Sequence, residues 1–297
     1  MYALSFVRES RCGKITDKSE IIKMRPYTYH NHTVFCDGNN TVEEMVLSAI
    51  AHGCDAIGFS GHSFTRVDSD YCMPLDKTEE YRAEVVRIAE KYKDKIKVLL
   101  GIEQDATSNP ELFADGYEYK IGSVHSVGDG DQSYSVDASP EQFEWIANTL
   151  FGGDYYALCE DYFARVAEIY EKTGCDIVGH IDLVTKFNEG GVYFDESNER
   201  YVKAAERAIK KLAKEGAIFE INTGAISRGY RKEPYPSKRL MDIIYKEGGK
   251  VTYSSDCHAA EHIICGYEQA VELAKECGFE GFMKLGDDGF ALVRFDD

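Results

Sequence analysis

The segment YTYHNHTVFCDGNN, Tyr27 to Asn40, sets His30 and His32 one residue apart and follows them with Asp37 and Gly38. On an extended strand, residues two apart leave the same face. A strand over 27–32 therefore sends both imidazoles to one side of a sheet. Paired imidazoles on a buried face cost desolvation unless something hydrogen-bonds or ligates them. Alone, the His-X-His pair reads equally well as two surface histidines on a loop. The rest of the chain separates the two readings.

Outward from this segment, short apolar runs alternate with amphipathic helical patterns. Strands are expected at 27–32, DAIGFSGH (55–62), IKVLLGIE (96–103), YEYKIGSVH (117–125), DIVGHID (176–182), AIFEINT (217–223) and KVTYSSDCH (250–258). Helices are expected at 41–53, 79–93, 160–174, 199–216 and 237–249. The first opens on Thr41 with Glu44 three residues later and closes on Gly53, the grammar of a capped helix. Seven strands, mostly followed by helices, predict an α/β fold with a closed or nearly closed parallel barrel. A doubly wound sheet is the structural alternative, but neither GxGxxG nor GxxxxGK[ST] is present to favour it. FMKLGDDGFALVRF predicts a late hairpin around Asp288-Gly289. With no repeats or linkers in view, residues 24–297 are expected to form a single catalytic domain. Residues 1–23 match the rest of the chain poorly and are expected to be a dispensable N-terminal extension.

The polar residues fall at the ends of these strands. After His30 and His32 come Asp37, then His62 in GFSGHS, Glu103 in GIEQD, His125 in GSVHSV, His180 in VGHIDL, and Asp256 and His258 in SSDCHA. In a parallel barrel the C-terminal strand ends converge on one mouth, where chemistry sits. Six of the eight histidines would gather there. A single strand-terminal histidine is usually packing, whereas six flanked by glycines are not. Imidazoles and carboxylates are ligands for zinc, iron and manganese. Nine such groups exceed what one ion takes, which predicts two or three divalent ions sharing bridging groups. His52 is left near a helix end, and His262 follows the last cluster by four residues.

The formal net charge of −18 offers no basic stripe to replace counterions on a nucleic-acid backbone. Nucleic acid is therefore not expected as a partner. The nine cysteines form no CxxC pair and are odd in number, which predicts free thiols in a reducing, cytoplasmic setting. No apolar run reaches the roughly 18 residues of a spanning helix. The first residues lack the order of a signal peptide.

The motifs HNHTVFCDG, GHS, GIE, SVH, GH before IDL, and SDCH run in the order of the PHP family, the polymerase and histidinol phosphatase superfamily. The chain resembles that family from Tyr29 to His258. The segments GHIDLVTKFN and EINTGAISRGYRKEPYPSKRLMDIIYKEGG resemble its histidinol-phosphate phosphatase branch. The resemblance implies a distorted TIM-like barrel of seven βα units with a trinuclear metal site. Position by position, it implies that His30, His32, Glu103 and Asp256 bind one ion and that Glu103, His125 and His180 bind a second. Asp37, His62 and His258 would bind the third. Glu103, Asp256 and His258 would take part in catalysis itself. Two departures stand out: NTGAIS replaces a more usual Ser-Gly-Leu-like turn, and Cys257 lies between two ligands where a small residue is common.

The activity so implied is hydrolysis of a phosphate monoester, L-histidinol phosphate, by hydroxide on the metals rather than through a phosphoenzyme. A phosphate dianion also wants fixed positive charge, preferably a forked guanidinium. Arg228 is the first choice, followed by Arg231 and Lys186, with Arg165 also considered. Asp182, Glu233 and Tyr235 are candidates for the leaving group's ammonium and imidazole. Two other readings compete: a phosphoesterase acting on a nucleotide or nucleic-acid end, and a metal-binding regulatory or storage protein without turnover.

Overall fold

Seven short parallel strands make one sheet in strictly sequential order: β1 (Tyr27–Thr28), β2 (Ala56–Phe59), β3 (Lys97–Asp105), β4 (Tyr119–Ser123), β5 (Ile177–Val178), β6 (Ile218–Asn222) and β7 (Lys250–Ser254). The computed structural model describes residues 24–67, 70–113, 115–129 and 132–296, so the expected extension over 1–23 lies outside the described residues. β1 meets β7 through one parallel bridge, Asn31 to Cys257, in which the His32 amide donates to the Cys257 carbonyl at 2.9 Å. The barrel is thus nearly closed, as the strand–helix alternation predicts.

Two expected strands shrink to a pair of ladder residues each. Beyond β1, the Tyr29 carbonyl accepts from the Tyr119 hydroxyl. Beyond β5, the His180 amide donates to Glu220 at 2.9 Å. Side chains take over the backbone groups that a ladder would use. His30 and His32 still share one side, because they flank the bridged Asn31 and keep its alternation.

The helices begin and end for local reasons. In α1 (Val42–Ala51) the Thr41 hydroxyl accepts from the Glu44 amide, and Glu44 accepts from the Thr41 amide at 2.8 Å, closing the capping box. α2 (Thr78–Tyr92) comes next. The pattern expected over 160–174 divides into α4 (Tyr155–Val166), capped by Asp154, and α5 (Ile169–Thr173). Between them the Glu168 amide reaches back only three residues, to Arg165, which tightens the turn. α3 (Pro140–Leu150) lies where no helix was predicted, although Ser139 caps it and Pro140 occupies its first turn. α6 (Glu199–Glu215) stops at Gly216 with φ of 83°, a left-handed C-cap. Three further helices complete the order: α7 (Gly224–Ser227), α8 (Lys238–Lys246) and α9 (Tyr267–Glu276). None of the described helices is long and apolar enough to cross a membrane.

Tyr119 fills the lower barrel. A Cβ on Gly58 would lie 2.3 Å from its hydroxyl, and one on Gly101 would lie 2.3 Å from its ring, so only glycine fits either strand there. Below it, Tyr27 and Tyr29 pack against Tyr253, Phe282 and Phe290. The last two belong to the hairpin β8 (Gly281–Gly286) and β9 (Gly289–Arg294), whose turn is Asp287-Asp288, one residue before the expected Asp288-Gly289, because Gly289 already pairs with Gly286. Its Leu285 amide donates to the Tyr29 hydroxyl at 2.8 Å. The aromatic floor leaves the opposite end of the barrel free for polar groups.

Candidate metal centre

All nine expected ligands reach one place. Glu103, on the inward face of β3, is the hub and is fully buried. Its Oε2 lies 2.7 Å from His62 Nδ1 and 3.1 Å from His30 Nε2, and its Oε1 lies 3.1 Å from His180 Nε2 and 3.5 Å from His125 Nε2. Asp256, at the end of β7, brings Oδ1 within 3.3 Å of His32 Nε2. Asp37, from the loop after β1, stands 3.2 Å from His258 Nε2 and 3.7 Å from His62 Nε2.

The potential donor atoms fall into four overlapping groups: His32, Asp37, His62 and His258; His30, His32 and Asp256; His30, Glu103 and His180; and His62, Glu103 and His125. This grouping overlaps more than the division implied by resemblance: His125 and His180 fall in separate groups around Glu103, joined by His62 and His30 respectively. His32 stands with the Asp37 group as well as with His30 and Asp256.

Two carboxylates that were not anticipated steady this cluster. Glu220, on β6, holds His30 Nδ1 at 2.8 Å, and Asp105, two residues after Glu103 on the same strand face, holds His125 Nδ1 at 2.8 Å. A carboxylate there fixes a proton on Nδ1, so that in the neutral ring the Nε2 lone pair faces inward, where a metal ion would take the place of the second proton. Asp105 was discoverable from the period-two spacing. Nothing local marks Glu220, which is 190 residues from its histidine.

The backbone is also adapted to the site. Asp256 alone among the described non-glycine residues has positive φ, 47°, a cost of the kind that clusters at functional sites. Gly224, in the NTG turn, has no room for a side chain: a Cβ would sit 2.5 Å from Asp256 Oδ2.

Charge in the cluster is strongly polarised. Burial alone would raise the Glu103 carboxyl, yet His62, His30 and His125 hold it well below the usual range. Burial likewise opposes ionisation of Asp256, and Arg228 with His30 overcomes it. Burial would lower His125, but Glu103 and Asp105 push it up to about 9. The carboxylates therefore stay ionised and attract positive charge into a dry site. Buried His30 Nε2, His32 Nε2 and Glu103 Oε2 approach oppositely charged neighbours closely but make no hydrogen bond of proper geometry. Orphaned donor atoms converging among ionised carboxylates fit divalent cations.

The cluster opens into a cleft of about 240 Å³ walled by Tyr71, Ser135, Asp137, Leu183, Lys186, Arg228 and Tyr230. Arg228 pairs with Asp256 Oδ2 at 3.1 Å and donates to His258 Nδ1 at 2.8 Å. Lys186 is held by Asp137 at 3.0 Å. Arg231 is not brought to the cleft: it is buried, donating to the Thr185 carbonyl at 2.8 Å and pairing with Glu196 at 2.9 Å. Arg165 pairs instead with Asp161 at 2.7 Å.

The three leaving-group candidates also lie off the wall. Asp182 is buried under the loop, accepting from the Ser237 amide, with its carboxyl pushed up to about 7 by burial. Tyr235 is buried and Glu233 is exposed. Tyr71, Ser135, Asp137, Leu183 and Tyr230 are wall residues that sequence reasoning missed. The departure at Cys257 is a buried thiol donating to the Ala259 carbonyl at 2.7 Å, and burial pushes it up to about 12, against the thiolate form. His52 caps the end of α1, and His262 stays beside Glu261, outside the cleft.

Among relatives, a probable histidinol-phosphatase of Schizosaccharomyces pombe is 29% identical over 289 residues, covering 90% of this chain and 92% of its own. A histidinol-phosphatase of Lactococcus lactis is 28% identical over 271 residues, covering 86% and 93%. The crystal structure of histidinol phosphate phosphatase from Lactococcus lactis, complexed with zinc, L-histidinol and phosphate, superposes with a TM-score of 0.71. It is 24% identical and covers 89% of this chain and 98% of that one. The PHP domain model matches residues 28–224, from the start of the His30/His32 segment to the glycine that makes room for Asp256. With a sequential barrel and its buried histidine–carboxylate mouth, that match means the chain belongs to the PHP domain family.

Proposed function

We propose that the protein hydrolyses L-histidinol phosphate to L-histidinol and phosphate, using up to three divalent ions, zinc, manganese or iron. The observation carrying this reading is the convergence of four imidazoles on the buried Glu103, beside a cleft walled by two cations. Relatives named as histidinol-phosphatases over nearly their full length support the substrate.

His30, His32, Asp37, His62, Glu103, His125, His180, Asp256 and His258 would hold the ions, with Glu103 shared between them. Bound there, divalent ions supply Lewis-acid charge and a water acidic enough to attack near neutral pH. Arg228 and Lys186 bind the phosphoryl oxygens, Arg228 through the N–H groups not engaged by Asp256 and His258. Asp137 keeps Lys186 extended toward the cleft through its 3.0 Å pair. The Lys186 ammonium lies 5.0 Å from the ring centroid of Tyr230, an exposed wall residue that helps hold the cation at the cleft. Arg231 acts through the fold, by tying the loop around Thr185 to Glu196.

The test is phosphate release by the purified protein, supplied with manganese or zinc, from L-histidinol phosphate, a nucleoside monophosphate and an aryl phosphate. A strong preference for histidinol phosphate is expected. Turnover of only the other two would retain the phosphoesterase and overturn the substrate. Uptake of metal with no turnover of any ester would favour a regulatory or storage protein.

A further inference from the structure

Glu220 occupies a position that the hydrolytic reading does not use, since it neither lines the cleft nor reaches a phosphoryl oxygen. It lies on β6, fully buried, and both of its oxygens are engaged. Oε1 faces His30 Nδ1 at 2.8 Å. Oε2 accepts from the His180 backbone amide at 2.9 Å and from Asn222 Nδ2 at 2.9 Å. One carboxylate thus grips the side chain of His30 and the main chain of His180. These histidines approach opposite oxygens of Glu103: His30 reaches Oε2 and His180 reaches Oε1, each at 3.1 Å.

We infer that Glu220 is the positioning residue that prepares both sides of the Glu103 bridge for metal, by fixing which His30 nitrogen is free and where His180 stands. The inference rests on the metal-binding reading above. Its physical content is directional. Because Oε2 is already accepting two N–H groups, it must remain an oxygen. Because His30 has a carboxylate at Nδ1, a proton belongs there, and in the neutral, metal-binding ring it is Nε2 whose lone pair points toward Glu103 and Asp256.

The isosteric Glu220→Gln makes a sharp test. The amide oxygen is required by the His180 amide and Asn222, so the new NH₂ must turn to His30 Nδ1. Donation to Nδ1 moves the imidazole proton to Nε2 and blocks the inward lone pair. Size and burial are unchanged, and a buried charge is removed, so a purely structural carboxylate would leave metal binding intact.

The experiment compares wild-type and E220Q chains, stripped of metal and titrated with zinc against a chromophoric chelator. Bound zinc is counted by mass spectrometry, and thermal unfolding is followed in the metal-free state. The expected result is a loss of zinc affinity of about 10–100-fold, the range for lost outer hydrogen bonds, with metal-free unfolding no earlier than wild type. Wild-type zinc affinity and stoichiometry in E220Q would overturn the inference. A wild-type chain that takes up no zinc would instead defeat the underlying metal reading.

Should E220Q not fold, a crystal structure of the zinc-loaded wild type decides. Zinc on His30 Nε2 with Nδ1 still against Glu220 supports the role. Zinc on His30 Nδ1, or on Glu220 itself, overturns it.

Discussion

At the floor of the barrel, Tyr27 shares a 3.0 Å hydrogen bond with Thr252 Oγ1, Tyr119 donates to the Tyr29 carbonyl, and Tyr29 accepts from Leu285. At the mouth, a few residues further along the same strands, His30, His32 and Glu103 are as deeply buried but keep inward atoms without a hydrogen bond of proper geometry. Both regions are dry and both are crowded with polar groups. They differ in whether the protein completes its own hydrogen bonding. An unmade buried hydrogen bond costs about 1–3 kcal/mol, so the floor stabilises the fold while the mouth spends stability on open valences.

The contrast predicts that substitutions at the mouth act on activity and those at the floor act on stability. Glu103→Ala is expected to have the largest effect. Phosphate release should fall by about 10⁴-fold, the scale for removing one member of a group that acts as a unit. Turnover within tenfold of wild type would break the comparison at its centre.

Tyr27→Ala should remove about 3–5 kcal/mol of unfolding free energy, as deletion of a buried ring does. Turnover per folded molecule should be unchanged. Chemical denaturation alongside the phosphate assay reads both, and a matching loss of turnover would mean that floor and mouth are coupled.

Smaller changes sharpen the boundary. Arg228→Ala should lower kcat/KM by about 10²-fold, the range for one transition-state donor. Arg231→Ala, a few residues on, should leave kcat/KM unaltered and lower the unfolding temperature, because it breaks the buried pair with Glu196. Steady-state kinetics on both variants separates the cation on the wall from the cation behind it. The smallest expected effect is Asp105→Asn, which turns an amide toward His125. Zinc affinity should weaken by about tenfold, less than for Glu220→Gln, since His125 stands at the cleft edge and has a single carboxylate behind it. Chelator competition measures it.

Much of this was legible in the linear chain, for identifiable reasons. Strand-end residues such as His62, Glu103 and His180 could be read because a parallel barrel gathers strand ends whatever fills the rest. Thr41 with Glu44, and the glycines at 174 and 216, could be read because capping depends on neighbours within four residues. The late hairpin, which turns at Asp287-Asp288 within one residue of expectation, is local in the same way.

Other features depended on contacts between distant segments. His30 and Glu220 meet only because β1 and β6 belong to one closed wall, and nothing near either residue foretells the other. Arg228 and Arg231 lie three residues apart in the run ISRGYRK, and both were candidates for the phosphate; one faces the cleft because α7 turns it toward Asp256, and the other is captured by Glu196 from a separate loop. The sequence by itself determined the barrel, its caps and the nine-residue mouth, because periodicity and turn chemistry are short-range. Only the tertiary structure decided which carboxylates stand behind the histidines and which cation reaches the cleft, because burial and ion pairing are settled by whatever segment arrives opposite.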